Sequence, residues 1–508
     1  MYKEVYGVIE ITQNEIKFAV GVFRDNRGLK VIFKERIKGN WLTEDDEIID
    51  VNRVSQRLKK LINSYNISFR DKIKRVSVIF PSKTLQIKDS TSNVFLNHPE
   101  NIVRHEHINN LYRDANRINF DDRNVVINIK PYLFYLNNQI QTGVVPLNAT
   151  NVSSITMMAK IYTVSKKVHN SFVELLKNLE VEKLIFSTDV YSIARQINSE
   201  ISFKENFVTI NWGWNTVDIG YFCKEALVKK ESINSGIKNI IDSLSKRINS
   251  KFEVANKYIF KLLDFSTNNN SDSTIYRKYV NSEKRLSELT AEQIKNAVLE
   301  EINWIIDKAD SCIEKEFKES KNFKIHHVGK MTEIAGFEKI LQRSKFKSIS
   351  SVYYSLVTGA SEIWLTSICG MIKLSRINNK NSSEILTSND CIKKQNHMGI
   401  KYPSPSLNPN YHDYNQLNRG TLDPRALNQA QRSIVNRNIN NMNTRPFNNG
   451  VHMQKNLQNN LNFQQNNNNL VQNNHSWQNY NHYQNDSSFK NNNGQIGNGF
   501  LENEQKNR

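Results

Sequence analysis

Two segments roughly 200 residues apart repeat one design, and a repeated supersecondary unit restricts a chain to folds built by duplication. The first is 5–23 (VYGVIEITQNEIKFAVGVF) and the second is 207–222 (FVTINWGWNTVDIGYF). Each reads as a β-strand, a short polar turn and a second strand, since apolar and β-branched runs bounded by turn residues are the hairpin signal. A polar residue stands at the mouth of each turn, Glu10 in the first and Asn211 in the second. A third apolar run follows each pair, at 29–37 and 225–233. A duplicated fold would bring the two turns face to face, and backbone N–H groups in facing turns can clasp a phosphate chain.

The chain of 508 residues is long enough for two or three domains. It carries a formal charge of +19, of which residues 401–508 supply +5 and the remainder +14. A basic balance favours anionic partners, namely acidic protein tails, anionic lipid or nucleic acid, and does not choose among them. A Lys/Asn/Ile-rich composition is also what an AT-rich genome produces. Cys223, Cys312, Cys369 and Cys391 are scattered without a C-x-x-C pair, which points to a reducing interior rather than a disulfide framework or a zinc site. Segment 1–23 alternates charge with strand-like apolar residues, unlike a secretory signal. Segment 364–374 (WLTSICGMIKL) is about half the length of a membrane span and reads as a core helix.

Composition changes abruptly near 377–381. Beyond it Asn and Gln dominate, as in 464–470 (QQNNNNL), and such a tract buries too little apolar surface to offset its ordering entropy. The expected folded body is therefore 1–377. Within it Val51, Val54, Leu58, Leu61, Ile62 and Tyr65 share one helical face, as do Val168, Phe172, Leu175 and Leu179. The longest helix is expected over 290–318, with a short helix over 189–198 after the strand 183–187 and a further strand at 74–80. Segment 86–159 reads as strands with one helix near 107–118, and 268–273 (NNNSDS) as a surface loop. Alternating strands and helices predict an α/β architecture. The expected division is 1–85 and 161–202 as a first lobe, 86–160 as an insertion subdomain, 203–377 as a second lobe with a helical insertion over about 237–320, and 378–508 as a disordered tail.

This order of elements resembles the actin/Hsp70-like ATPase superfamily, a duplicated ribonuclease H-like two-lobe fold, and within it the bacterial cell-division family FtsA. The resemblance covers about residues 5–375 and rests on element order, spacing and degraded motifs. The family's first phosphate loop reads roughly Asp-Ile-Gly-Thr-Ser-Lys. Here the same place holds Glu10, Ile11, Thr12, Gln13, Asn14 and Glu15. The second loop reads Asp-Ile-Gly-Gly-Gly-Thr-Thr-Asp in the family and Asn211-Trp212-Gly213-Trp214-Asn215-Thr216-Val217-Asp218 here, so Gly213, Thr216 and Asp218 survive. The adenosine loop keeps its first and last glycines, Gly329 and Gly336. A helical Glu and Lys embrace the ribose in the family; the matching stretch 252–259 places Asn256 and Ile259 there, with Lys257 and Lys261 near. The closing helix matches 353–364, with Gly359 as its close-packing glycine, and the early insertion over 86–159 stands where FtsA carries its extra subdomain.

The resemblance implies ATP with Mg²⁺ as the ligand of the cleft, held by Glu10, Thr12, Gln13, Asn14, Asn211, Gly213, Thr216, Asp218, Lys257, Gly329 and Gly336. The substitutions argue against turnover. Glycines in these loops permit φ > 0 and let backbone approach phosphate oxygens, and Trp214 and Asn215 replace two of them. Asn211 has lost a carboxylate outright, and Glu10 carries its own on a longer arm. Magnesium wants carboxylate or water oxygens in near-octahedral array. Glu10 reads equally as a strand-end carboxylate paired with a lysine, and Trp212 and Trp214 either cap a closed cleft or stack on a base. His326 and His327 have no third metal ligand spaced nearby. The basic helix at 238–251 matches the subdomain with which FtsA holds the tail of the tubulin homologue FtsZ, and it would suit an acidic peptide. The expected protein is a cytoplasmic division scaffold, peripheral at the inner face of the membrane, that binds FtsZ and self-associates. FtsA ends in a membrane-binding amphipathic helix; the last residues here are too short and acidic for that, and 425–442 is a sparse substitute. The rival readings are an active ATP-driven filament protein of segregation or cell shape and, third, a nucleic-acid binder, which lacks a stacking platform or reader motif.

Overall fold

The computed structural model describes residues 3–24, 28–96, 101–118, 122–200, 206–223, 225–266, 274–280, 285–317, 323–380 and 384–393. The expected loop at 268–273, the tail beyond 393 and the helix over 425–442 lie outside the described residues.

The first hairpin forms β1 (Lys3–Ile11) and β2 (Glu15–Arg24), followed by β3 (Lys30–Lys38). Helix α1 (Val51–Phe69) starts where the Asp50 side chain accepts from Arg53 N at 2.9 Å, a cap worth about 1 kcal/mol. It leads to β4 (Arg75–Phe80). A second unit follows: β5 (Gln86–Phe95), α2 (His105–Ile118), β6 (Asn124–Leu136), β7 (Ile140–Thr142) and β8 (Ser154–Ser165), a four-stranded antiparallel sheet with its own apolar core under α2. The chain then resumes the first sheet through α3 (Lys166–Leu179), β9 (Glu182–Thr188) and α4 (Asp189–Asn198).

The design now repeats. Strands β10 (Asn206–Trp212), β11 (Val217–Cys223) and β12 (Ala226–Ile233) form an antiparallel meander like β1–β3. Helices α5 (Ile237–Arg247) and α6 (Phe252–Lys261), the hairpin β13 (Thr274–Val280) and β14 (Arg285–Thr290), and the long α7 (Ala291–Glu316) follow. Thr290 and Gln293 form a capping box at the start of α7. The segment expected to be a helical insertion over 237–320 thus also carries a hairpin. Next come β15 (Phe323–Gly329), α8 (Phe337–Ile340), β16 (Ser350–Val352), α9 (Leu365–Lys380) and a last hairpin, β17 (Glu384–Leu386) and β18 (Cys391–Lys393).

Sheet order makes the duplication explicit. The first sheet runs β3-β2-β1-β4-β9 and the second β12-β11-β10-β15-β16. In each, the meander is antiparallel and the last two strands join parallel to the first. Helix α4 leaves the first sheet and packs Val190, Ile193, Ala194 and Ile197 on the second, against Phe207, Phe222 and Val328. Helix α9 leaves the second sheet and packs Leu365, Ile368, Met371 and Ile372 on the first, against Tyr6, Val8, Ala19 and Ile79. The two helices cross at Gly370, where a Cβ would lie 1.8 Å from the carbonyl oxygen of Ser192.

Two expectations are corrected. Segment 353–364 is not the closing helix. Tyr353 N donates to His327 O at 3.0 Å and Val31 N donates to Thr358 O at 2.9 Å, so the segment extends from β16 across to the edge of β3. Gly359, at φ +84 with Val31 O 2.4 Å from a Cβ position, allows that close passage, and the helix begins only at Leu365. The folded body also runs past 377. Asn379 Nδ2 donates to Leu386 O at 2.8 Å, Ser388 N donates to Val5 O at 2.8 Å, and Thr387 and Ser388 are fully buried, so β17–β18 closes the end of the first sheet. A composition boundary misses this hairpin because its fit depends on polar side chains meeting backbone groups remote in sequence.

Candidate functional site

The polar turns of the two hairpins do face each other. They line a cleft between the sheets with a cavity of about 120 Å³, whose wall includes Glu10, Thr12, Gln13, Asn14, Asn211, Gly213, Thr216, Asp218 and Gly329. These are nine of the eleven residues expected there. Gly336 lines an adjoining cavity of about 420 Å³, which shares Arg36, Glu333 and Ile363 with the first. Lys257 is exposed on α6 and lines neither cavity, because the inward positions of that helix are Ala255 and Ile259.

Each turn is closed largely on itself. Thr12 N donates to Glu15 O at 2.8 Å and Gly213 N donates to Asn211 O at 3.0 Å. The carbonyls of Gln13 and Asn14 accept from Trp41 and Gly39, and those of Gly213 and Trp214 accept from the first amides of α5. The Thr12 and Gly213 amides are thus spent inside their own turns and are not available to cradle a phosphate. Trp212 is buried, donates Nε1–H to His327 Nδ1 at 3.3 Å and meets Phe337 edge to face, so it is a core residue rather than a lid. The Trp214 ring packs edge to face on Phe252 of α6. His326 and His327 lie buried on β15, and burial lowers their pKa values to about 4 and about 3, which keeps both neutral.

The inner end of the cleft is filled by charge. Lys17 Nζ lies 3.4 Å from Glu10 Oε1, and Ser367 on α9 donates to Glu10 Oε2 at 2.7 Å. Asp218 accepts from Ser232 at 2.5 Å and pairs with Lys230 Nζ at 3.2 Å. The same Lys230 ammonium donates to the carbonyl of Ser82, beyond β4, at 2.6 Å, so one lysine of the second lobe holds both sides of the gap. Asn211 Nδ2 donates to Asp189 Oδ2 at 3.4 Å, and Ser82 donates to the other oxygen of Asp189. Gln13 donates to Asp46 Oδ1 at 2.5 Å. Sequence reading missed Asp46, Asp189, Lys230 and Ser367. Asp189 had one legible signal, an acidic residue in the first turn of a helix directly after a strand.

Asp46 stands in the β3–α1 loop at φ 68, fully buried, with its Oδ2 unpartnered among the described residues. Burial first, and then the Asp218 charge, raise its pKa from 3.8 to about 7. Burial and Asp218 push Asp189 up in the same direction. The folded state therefore keeps a proton on Asp46 that the unfolded chain releases, so this contribution is whole below the unfolded value and is lost as pH rises through about 7. Asp46→Asn, which keeps a residue type that tolerates φ > 0, removes the dependence. The stability of the variant relative to the parent should rise by about 1–2 kcal/mol between pH 5 and pH 7.5, read from urea unfolding at both. A gap that stays constant across that range would rule out a buried protonated Asp46.

Among the described residues no group of three or more His, Cys, Asp or Glu side chains is arranged to hold a metal ion. In this arrangement Glu10 is held by Lys17 and Ser367, Asp218 by Lys230 and Ser232, and the Thr12 and Gly213 amides by their own turns, so a magnesium–triphosphate would have to displace these partners to use those groups.

No family model matches this sequence, and no curated protein matches it. Solved structures do. A chain of a PilM–PilN type IV pilus biogenesis complex superposes on 73% of this chain and 98% of its own length, at 8% identity and a TM-score of 0.51. The chain has the actin-like ATPase fold. This actin-like chain is also similar to MreB5 of Spiroplasma citri bound to ADP (12% identity, 75% and 99% covered, TM-score 0.42) and to the ethanolamine utilization protein EutJ from Carboxydothermus hydrogenoformans (12% identity, 72% and 88% covered, TM-score 0.41). At such identities the likeness is one of fold. Among the described residues no helix is long and apolar enough to cross a membrane.

Proposed function

We propose that this actin-like chain is a division scaffold of the FtsA type, which ties the tubulin homologue FtsZ to other division components or to the membrane and does not turn over nucleotide. One observation carries the reading: Lys230 joins Asp218 to the Ser82 carbonyl at the point where the family places phosphate and metal. A scaffold needs the two lobes held in one geometry, whereas an ATPase cycle needs them to open and close around a ligand. Phosphoryl transfer depends on positioned charge, and Asn211 supplies none while Glu10 is engaged by Lys17 and Ser367. The helix α5 offers exposed Lys238 and Lys246 to an acidic tail, and the protein resides in the cytoplasm at the inner face of the membrane.

The test uses the full chain. Labelled ATP is titrated with and without Mg²⁺, phosphate release is followed, and the division tubulin is offered in a pull-down. The expected result is no measurable phosphate release with the tubulin retained. Saturable, Mg²⁺-dependent uptake with turnover would instead favour an active ATP-driven filament, and failure to retain the tubulin would remove the FtsA reading while leaving the fold.

A further inference from the structure

We infer that the outward face of α1 docks on an anionic membrane surface. This deepens the membrane half of the proposed function and depends on it only there. Helix α1 contains no acidic residue over its 19 positions, whereas Arg53, Arg57, Lys59 and Lys60 lie within it and Arg70 and Lys72 follow directly. Its inward face is apolar, with Val54, Leu58, Ile62 and Tyr65 buried on the first sheet.

Arg53, Lys60 and Ile67 are spaced seven apart, so they form one outward stripe, about 21 Å long at the rise of an α-helix. Ile67 is 78% exposed at the end of that stripe, beside Arg70 and Lys72, and Phe69 next to it is 38% exposed. The acidic groups near α1 are few, and the first of them, the exposed Asp50, is taken up in capping the helix at Arg53 N. Glu180 pairs with Lys59 at 3.5 Å on the flank, and Asp71 accepts from Tyr65 and Asn389. Among the described residues no ion pair engages Arg57, Lys60, Arg70 or Lys72, so their charge faces solvent.

Cations ringing an exposed aliphatic side chain match a lipid surface, where headgroup charge attracts the ring and the side chain enters the acyl boundary. Sequence-independent nucleic-acid binding would use the cations through phosphate and leave the exposed aliphatic Ile67 without a role. The chain's own tail is a poor occupant, because residues 401–508 carry ten basic and five acidic residues and would be repelled. The last described strand, β18, belongs to a hairpin in which Asn389 bonds Asp71, one residue beyond Arg70.

The experiment co-sediments the purified full chain with vesicles of phosphatidylcholine alone or with one-third phosphatidylglycerol, at low and high salt. The parent should pellet with the anionic vesicles only, and salt should weaken it. Each cation at such a surface multiplies partitioning about fivefold, so the double reversal Arg57→Glu/Lys60→Glu should lower it at least tenfold, and the neutral change Ile67→Asn should lower it without changing the salt dependence. Lys315→Glu/Lys347→Glu makes the same net-charge change on the second lobe and should leave sedimentation unchanged. Circular dichroism of each variant checks that it is folded. Failure to pellet with anionic vesicles, equal binding to neutral ones, or equal losses in both double reversals would overturn the inference. Loss of DNA retention rather than of vesicle binding in Arg57→Glu/Lys60→Glu would assign the face to nucleic acid. None of these outcomes depends on the tubulin pull-down.

Discussion

Gly370→Ala should destabilise the chain by about 3 kcal/mol or more. The new Cβ would lie 1.8 Å from the Ser192 carbonyl oxygen and 3.0 Å from Gln196 N. Both are backbone atoms of α4, so neither can swing aside as a side chain would. Helices α4 and α9 would have to part, and each carries a core layer: α4 covers the second sheet and α9 covers the first. Separation should therefore loosen both layers and change the angle between the lobes. Urea unfolding reports the stability and small-angle scattering reports the shape. Gly28→Ala is the control, because nothing lies within 4 Å of its Cβ position. Equal stability of the two variants would mean that the helices do not meet at Gly370.

Lys230→Met should cost about 3 kcal/mol and release the gap between the lobes. The pair Lys230–Asp218 is buried at both ends, with side chains 6% and 8% exposed. Removing one partner of a buried pair is far more costly than replacing both, because the remaining charge stays desolvated. Asp218 would keep Ser232 and Thr216 but would face Asp46 and Asp189, whose titration it already shifts, without the Lys230 ammonium beside it. Methionine keeps most of the aliphatic stem, so the measured loss reports charge and the Ser82 contact rather than packing. The double variant Lys230→Met/Asp218→Asn should recover at least 1 kcal/mol of the loss in urea unfolding. Simple additivity of the two single changes would show that the lysine and the aspartate are not coupled.

The strength of the hairpin signal explains how much could be read from the chain alone. Residues 5–23 and 207–222 alternate or run apolar over lengths that only strands fit, and both formed antiparallel pairs with register through Ile11–Ile16 and Trp212–Val217. The face of α1 followed from its 3.6-residue period for the same reason, since burial of one stripe is a local property of spacing. The closing helix was misplaced at 353–364 because Gly359 and its neighbours look permissive in isolation. What excludes a helix there is the edge of β3, more than 300 residues earlier, which takes the segment as an extended neighbour.

Repetition, period and turn chemistry are written along the chain, so the sequence by itself determined the duplicated α/β plan and the two polar turns. Asp46, Asp189, Lys230 and Ser367 come from four separate stretches, and Gly370 matters only where α4 crosses α9. Their roles were decided by the tertiary structure, because a buried charge or a missing side chain acquires its energy from the atoms that surround it and not from its neighbours in sequence.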